Sequence, residues 1–511
     1  MDVRVSTRDV QQFDGDAVAV GVFSDDEGLQ GPAATLDEAM AGVLARLRAS
    51  GEITGVADEV TMLHTLGKIE PQRVAVVGFG KRERFTTDRV RRSAAIASRK
   101  LRRAGAQRIG LALAWAESGV NLAQAARAAT EGVLLGLYRF RDYKSEPWGD
   151  ANLTDDAATN EITSLTILGR GREPALRSAI ERGQILAEAT NFARDLGNEP
   201  PNILTPSELA ERARRMAQDE GLECEIFGLE HMRALGMGAL LGVASGSAQE
   251  PRLIILRYRG GPDSEPGPAF VGKGITFDSG GLSLKTNEGM LTMKMDMCGA
   301  AAVLGAMRAV ARCRPAINVT GIVPTSENMP SGTSYRVGDV LRAMNGKTIE
   351  IVNTDAEGRL ILADALAYAV AQRHSPIVDA ATLTGSIAIA LGPYRAGLFS
   401  NDETLQHTIQ TAAEQAGEKV WPMPMDLEYE KLIYSEIADV KQTGGREGGS
   451  ISAAKVLSRF VGDTSWAHLD IASVYTREKR ELDGAAGATG FGVRTFTELA
   501  ALLAKHGNAN H

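Results

Sequence analysis

Two periodicities alternate along the chain. Short apolar runs rich in Val, Ile and Ala give way to longer stretches in which apolar positions recur every third or fourth residue. The first pattern is that of a strand and the second that of an amphipathic helix. Up to about residue 175, DAVAVGVF, RVAVVGFG, RIGLALAW and SLTILGRG read as strands, and LARLRAS, SAAIASRKLRRAG and AQAARAATEGVLLGLYRF as helices. The stretch Glu146–Asn160, rich in Asp, Asn and Thr, reads as a surface excursion. One long helical pattern runs from Pro174 to Leu196 and stops at the double proline of NEPPN, Asn198–Asn202. Beyond it, PRLIILRYRG, PAFVGKGITF, INVTGIVP, IEIVNTD, PIVDAATLTG and WAHLDIA alternate with helical stretches such as GAAAVLGAMRAVARC. Strands separated by helices need crossover connections, so both parts read as α/β. The expected layout is a smaller amino-terminal α/β domain over 1–175, a connecting helix over 176–200, and a larger carboxyl-terminal domain over 201–511 on a doubly wound, mixed or mostly parallel sheet.

Composition narrows the class without naming it. A chain of 511 residues is too long for one ordinary domain. Its 56 basic and 64 acidic side chains leave a net charge of -8, a balance that predicts neither nucleic-acid nor membrane binding. Cys224, Cys298 and Cys313 form no CxxC pair, which points to a reducing compartment. The amino terminus lacks an apolar h-region, and no apolar run approaches the roughly 18 residues of a membrane span. A cytosolic protein is therefore expected.

The chemistry concentrates in two segments. In NTDAEGRL, Asn353–Leu360, the strand-like alternation from Ile349 meets the helix former LILADALAYAVA, so Asp355, Glu357 and Arg359 are expected at the carboxyl end of a strand, where open α/β sheets bind ligands. Upstream, VGKGITFDSGGLSLK and MLTMKMDMCGAAA carry Lys273, Asp278, Lys285 and Asp296 among glycines that let backbone approach a ligand closely. Any one of these acids alone reads as a helix cap or a surface ion-pair partner. Four carboxylates together balance about the charge of two divalent cations.

VGKGITFDSGG, NMPSGTSYRVGDVL and NTDAEGRLILADAL resemble the leucyl aminopeptidase family, the cytosolic M17 metallopeptidases, whose signature octapeptide is NTDAEGRL. The likeness continues through RDLGNEPPNILTP, ATLTG, IADVKQTGGREGGSISAAKVL, WAHLDIA and GATGFGVRTFTEL, while the first domain is similar in size and pattern only. The resemblance implies a dinuclear aminopeptidase in which a metal-bridged water attacks the scissile carbonyl at the amino-terminal residue. By the same resemblance, Lys273, Asp278, Asp296 and Glu357 would bind the tighter metal, and Asp278, Asp355 and Glu357 the more exchangeable one. Lys285 and Arg359 would be the catalytic groups, Arg359 holding a bicarbonate that shuttles the proton. A lysine binds metal only as the neutral amine, so a strongly lowered pKa is expected at Lys273. The first-residue pocket maps to Met293, Thr382, Gly385 and Ala472, with the Leu383 backbone receiving the peptide. Peptide substrates, apolar first residues such as Leu, a homohexamer and a regulatory or assembly role for the first domain are likewise implied.

The residues support this chemistry on their own terms. Paired metals lower the pKa of a shared water and clamp both reacting oxygens, and a lysine ammonium at position 285 stabilises an oxyanion. Oxygen-rich ligands admit Mn²⁺, whereas the amine of Lys273 leans towards Zn²⁺. Of the seven histidines only His468 lies in a matched motif, and its apolar neighbours make it a core residue; a dinuclear phosphatase would be expected to use histidine ligands. Ser473 and Tyr475 depart from the family pattern and put the leucine preference in doubt, since Tyr475 is bulky enough to shrink the pocket. Cys298 stands where a glycine is common and reads as a small core residue. VAVVGFGKRERF imitates a dinucleotide fingerprint but has Glu83 in place of the third glycine. Between Lys81 and Arg103 there are ten Lys/Arg against two Asp/Glu. One reading is DNA contact by a regulator with secondary peptidase activity; the favoured one is a solvated face (Arg92, Arg99, Arg103) that pairs with acids of a neighbouring subunit.

Overall fold

The structure, a computed structural model, describes residues 1–114, 118–145, 161–169, 173–262 and 264–509. The excursion expected over Glu146–Asn160 lies outside the described residues. The chain divides into two compact units, one made of Met1–Glu188 with Lys479–Ala486 and the other of Ala189–Glu478 with Gly487–His511. The long helix spans Glu173–Asn198, and the division falls inside it.

The first unit is a six-stranded sheet in the order β1-β6-β5-β2-β4-β3, with β1 at Asp2–Ser6, β2 at Ala17–Val22, β3 at Val60–His64, β4 at Arg73–Gly78, β5 at Arg108–Ala112 and β6 at Ser164–Leu168. All neighbours are parallel except β3, which runs antiparallel to β4 along the edge. The edge strands β1 and β3 are additions to the four strands expected, β1 alternating over only five residues and β3 not alternating throughout. Every residue of β2 is buried, as a central strand covered on both faces requires.

The basic segment is a solvated face only in part, with Lys81, Arg84, Lys100 and Arg103 exposed and Arg91, Arg99 and Arg102 buried. Its helix, Thr87–Arg103, packs against Leu122–Gly136, and its arginines are engaged within the chain. Arg92 pairs with Asp58 at 3.0 Å and with Asp483 at 2.9 Å. Arg99 and Arg102 are buried and donate to the carbonyls of Gly136 and Leu137, which end the partner helix. Arg91 meets Glu131 at 2.8 Å. Carbonyls at a helix end lack intrahelical donors, so an arginine reaching them is stabilising. At Arg92 and Arg99 this charge serves the fold, which corrects for those two residues the expectation of acids from a neighbouring subunit. Glu131, fully buried between Arg91 and Arg127, is the point to test. Glu131→Ala is expected to lower stability against urea by about 3 kcal/mol, the low end for breaking a buried pair because Asp88 still faces Arg91. An unchanged midpoint would rule out a structural role for the pair.

The second unit holds a nine-stranded mixed sheet. Its strands are β7 Glu223–Phe227, β8 Arg252–Tyr258, β9 Ala269–Gly272, β10 Gly274–Asp278, β11 Val319–Asn328, β14 Ile377–Ala381, β15 Ala396–Ser400, β16 Val420–Pro422 and β18 Trp466–Asp470, while β12 Val340–Arg342, β13 Thr348–Glu350 and β17 Val440–Lys441 form a small separate sheet. The main order is β16-β15-β18-β14-β9-β11-β8-β7, with β10 continuing beside β11. Strands β9, β10, β11, β14 and β18 are mutually parallel, so their carboxyl ends share one edge of the sheet. That edge is where a ligand site belongs.

Three expectations change here. The strand expected to end at Pro324 runs on to Asn328, because Pro324 falls between the pairing with β9, which ends at Ile322, and that with β10, which starts at Thr325, so its missing N–H breaks neither ladder. The strand expected over Ile349–Asp355 ends at Glu350 and belongs to the small sheet. The segment Asn287–Cys313 is long and apolar enough to span a membrane, contrary to the reading of the bare sequence. Its most apolar window is 72% buried, and the helix Cys298–Cys313 packs on β9, β11 and the helix Val493–Ala509, so it is a core element.

Candidate metal centre

The site is built where that sheet edge meets two polar loops. β9 ends at Gly272 and β10 starts at Gly274, and Lys273 occupies the break between them. Asp278 closes β10. Past it the chain turns sharply at Gly280 (φ +88°), where a Cβ would lie 2.4 Å from the Ser283 carbonyl and 2.9 Å from Asp355 Oδ1. The loop returns with Lys285 N donating to Ser279 O at 2.9 Å.

The segment Ile351–Glu357 is irregular because side chains, its own Asn353 and those of Ser283 and Gln442, take the backbone amides a strand would pair. Asn353 Oδ1 accepts from Asp355 N at 3.0 Å, and Thr354 exchanges hydrogen bonds with Ser283 at 2.7 and 3.1 Å. Gln442 Oε1 accepts from the amides of Val352 and Asn353. Asn328, at the end of β11, joins the two halves by donating to Asp278 Oδ1 at 2.8 Å and to Thr354 O at 2.9 Å. Tyr335 OH also donates to Thr354 O, at 2.7 Å. None of Asn328, Thr354, Tyr335 and Gln442 was legible as part of the site, since each is a scaffold for a carboxylate and carries no charge of its own.

The charged residues converge. Carboxylate oxygens of Asp278, Asp355 and Glu357 lie within 4.8 Å of one another. Lys273 Nζ is 2.8 Å from both oxygens of Asp296, 2.8 Å from Glu357 Oε1 and 3.0 Å from Thr382 O. Lys285 Nζ is 2.9 Å from Asp278 Oδ2 and 2.5 Å from Asp355 Oδ1. Lys273, Asp278, Asp296 and Glu357 are buried, while Asp355 and Lys285 are partly open to solvent. Four acids against two lysines leave an excess of negative charge out of water, which a protein tolerates only with protons or cations. Burial lifts Asp278 to about 6, with the Glu357 charge adding to the rise and Lys285 and Lys273 opposing it. Burial drives Asp296 up as well. For Glu357 burial also pushes upward, but Lys273 outweighs it and the group stays below the usual carboxylate range.

At Lys273 the direction is opposite to that expected. Burial pulls its pKa down, yet the carboxylates of Asp296, Glu357 and Asp278 outweigh it and hold the amine above its ordinary value. The downward shift required of an amine ligand needs cations beside it, whose field has the reverse sign. The close approach itself depends on Gly358, the first residue of the helix Gly358–Ala371, where a Cβ would sit 2.7 Å from Lys273 Cε and 2.8 Å from Nζ.

Arg359 lies in the first turn of that helix, buried, with Nη1 donating to Gln442 O at 2.8 Å and Nε without a partner. Burial lowers its pKa, opposed by the charges of Glu357, Asp470 and Asp355. Thr382 donates its hydroxyl to Asp296 Oδ1 at 2.7 Å. Leu383 and Ala472 are half-buried and Gly385, opening the helix Gly385–Leu391, is exposed. Met293, half-buried, accepts from Asp296 N through its carbonyl. Tyr475 donates to Thr292 Oγ1 at 3.2 Å, and Ser473 to Arg395 O at 2.6 Å. Cys298 is buried at the start of its helix. His468 is fully buried, its Nδ1 2.6 Å from Asp379 Oδ1, which makes it a core residue.

An α/β domain that gathers four carboxylates and two lysines at its strand ends has the architecture of a metal-dependent hydrolase. Residues 191–497 match the "Cytosol aminopeptidase family, catalytic domain", and residues 19–147 match the family's N-terminal domain. A "Probable cytosol aminopeptidase" of Solibacter usitatus (strain Ellin6076) is 44% identical over 504 residues, 98% of this chain and 99% of that one. Its namesake in Geotalea uraniireducens (strain Rf4) is 44% identical over 463 residues, 91% and 92% of the two chains. Among solved structures, a mutant tomato leucine aminopeptidase superposes with a TM-score of 0.87 at 34% identity, covering 98% of this chain and 96% of that one. The bottromycin maturation enzyme BotP in complex with Mn superposes with a TM-score of 0.83 at 35% identity, covering 96% and 100%. The chain belongs to the cytosol aminopeptidase family and is a metallo-aminopeptidase.

Proposed function

We propose that the chain removes the amino-terminal residue of peptides with the aid of two divalent cations. The observation that carries this reading is the convergence of Asp278, Asp355 and Glu357 within 4.8 Å, flanked by Asp296 and two lysines. Asp296 Oδ2, Asp355 Oδ1 and Glu357 Oε1 are buried oxygens that face lysine nitrogens without an aligned hydrogen bond, so the donor set fits a cation pair. Lys273, Asp278, Asp296 and Glu357 would hold the tighter ion, and Asp278, Asp355 with its carbonyl, and Glu357 the more exchangeable one. When bound, the pair supplies a water acidic enough to ionise near neutral pH and polarises the scissile carbonyl. The carboxylate oxygens suit Mn²⁺, a reading supported by the Mn complex of BotP, while the amine of Lys273 favours Zn²⁺.

The remaining roles fall to the chain's own groups. Burial pulls the Lys285 pKa down, but Asp278 and Asp355 outweigh it, so the residue stays an ammonium able to donate to the oxyanion. The unpartnered Nε of buried Arg359 fits a planar anion such as bicarbonate, which would carry the proton from water to the leaving amine. Met293, Thr382, Gly385 and Ala472 would receive an apolar first side chain, and Leu383 the peptide backbone. The bulk of Tyr475, held at its hydroxyl by Thr292, would favour an apolar first residue shorter than leucine. A cytoplasmic homohexamer completes the reading.

The test is hydrolysis of Leu-p-nitroanilide by the purified chain with Mn²⁺ or Zn²⁺. Activity is expected with metal and lost on chelation. Lys285→Ala is expected to lower kcat by about 10²–10³-fold with metal content unchanged. A wild type inert with every divalent cation overturns the proposal. No retardation of duplex DNA is expected at physiological salt, and a specific shift would revive the regulator reading.

A further inference from the structure

Asp470 ends β18 at the catalytic edge, paired in register with Ala381 of β14, and is fully buried. Its Oδ1 accepts three main-chain amides, those of Leu383 at 3.2 Å, Thr384 at 3.4 Å and Ala472 at 3.2 Å. Its Oδ2 accepts the Thr384 hydroxyl at 2.6 Å. A carboxylate has about four acceptor sites, and these donors come from two separate segments. One leaves β14 and carries Thr382, Leu383 and Gly385; the other leaves β18 and carries Ala472. Thr382 is already tied to the metal cluster through Asp296 and Lys273. The first segment is thus pinned at two points, to the cluster at Thr382 and to the second segment through Asp470.

We infer that Asp470 is a positioning residue that fixes the two walls of the first-residue pocket to each other and to the metal cluster, and so sets discrimination among amino-terminal side chains. The inference rests on the pocket assignment proposed above. An amide in place of the carboxylate does not reproduce the arrangement. Thr384 Oγ1 already accepts from Ile387 N at 3.3 Å, capping the helix Gly385–Leu391. Facing the Asn Nδ2, the hydroxyl can only accept, and its proton loses the acceptor that Asp470 Oδ2 provides. Asp470 lies in the matched WAHLDIA motif, yet the sequence does not mark it as a site residue because most of its partners are backbone amides.

The test compares Asp470→Asn with wild type in the full, Mn²⁺-loaded chain. Amide hydrogen exchange over 382–387 and 471–474 is expected to accelerate about tenfold, the scale of one charge-assisted hydrogen bond. The ratio of kcat/KM for Leu- over Gly-p-nitroanilide is expected to fall about tenfold, carried by KM for the Leu substrate, with metal content unchanged. Trp466→Phe, which removes the bond to Asp379 between the same two strands, leaves both readouts at wild-type values. Thr384→Val replaces the hydroxyl by a methyl, removing the bond to Asp470 together with the cap on Ile387, and shifts both in the same direction, which keeps the test open if Asp470→Asn does not fold. Unchanged exchange at the pocket segments, an unchanged Leu/Gly ratio in active protein, or exchange accelerated evenly along β14 and β18 each overturns the inference. A wild type inert on both anilides defeats the proposed function alone, since the exchange readout still decides the role of Asp470.

Discussion

Glu357→Gln is expected to lower kcat/KM on Leu-p-nitroanilide by about 10³-fold, roughly 4 kcal/mol. The residue is 1% exposed and lies between Lys273 and the other two carboxylates of the triad. Glutamine keeps its volume but removes a charge and replaces an anionic oxygen with a donor. Two effects then oppose each other. Without metal, losing the charge relieves the repulsion that raises Asp278 but strips Lys273 of one of its two ion-pair partners, so the metal-free variant should unfold close to wild type. With metal, a residue proposed to serve both ions is gone. A ligand at about 1,000 times its Kd stabilises the folded state by about 4 kcal/mol, and this increment should vanish in the variant. Thermal unfolding with and without Mn²⁺, alongside metal analysis, separates the two. Full activity, or an undiminished Mn²⁺-induced rise in Tm, would remove Glu357 from the centre.

The architecture was legible wherever one period dominated over many residues. The buried run of β2 and the Ala-rich helix Cys298–Cys313 are cases in which local pattern and tertiary placement agree. The reading failed where polar side chains replace backbone partners. Ile351–Asp355 continues a strand-like alternation, yet the side chains of Asn353, Ser283 and Gln442 satisfy its amides from the side. Charge was misleading in the same way. The arginines of Thr87–Arg103 look solvated in a linear sequence, because the helix-end carbonyls and Glu131 that bind them lie far along the chain. In the metal centre the charged residues were readable from type and motif. The neutral groups that aim them were not, since Asn328 and Tyr335 become recognisable only once β11 is placed beside β10.

Gly358→Ala is expected to cost at least about 10²-fold in kcat/KM, although alanine is the better helix former by about 1 kcal/mol. The added Cβ would lie 2.7 Å from Lys273 Cε, 2.8 Å from Nζ and 2.9 Å from Cδ, so the lysine must move. A long flexible side chain at the surface would do so at little cost. Here Nζ is held by Asp296, Glu357 and the Thr382 carbonyl, and the backbone is held by Lys273 N to Ala380 O at 3.1 Å and Ala300 N to Lys273 O at 2.8 Å. Neither end can retreat without breaking buried ion pairs, worth about 3–5 kcal/mol when one partner is displaced. That exceeds the gain in helix propensity several-fold. Gly332→Ala, where a Cβ meets nothing within 4 Å, provides the control for the substitution itself. The variant is expected to stay folded by circular dichroism while binding less metal at the site Lys273 is proposed to serve. Wild-type kcat/KM with two ions bound would mean that Lys273 has room to move, and its place among the metal ligands would have to be given up.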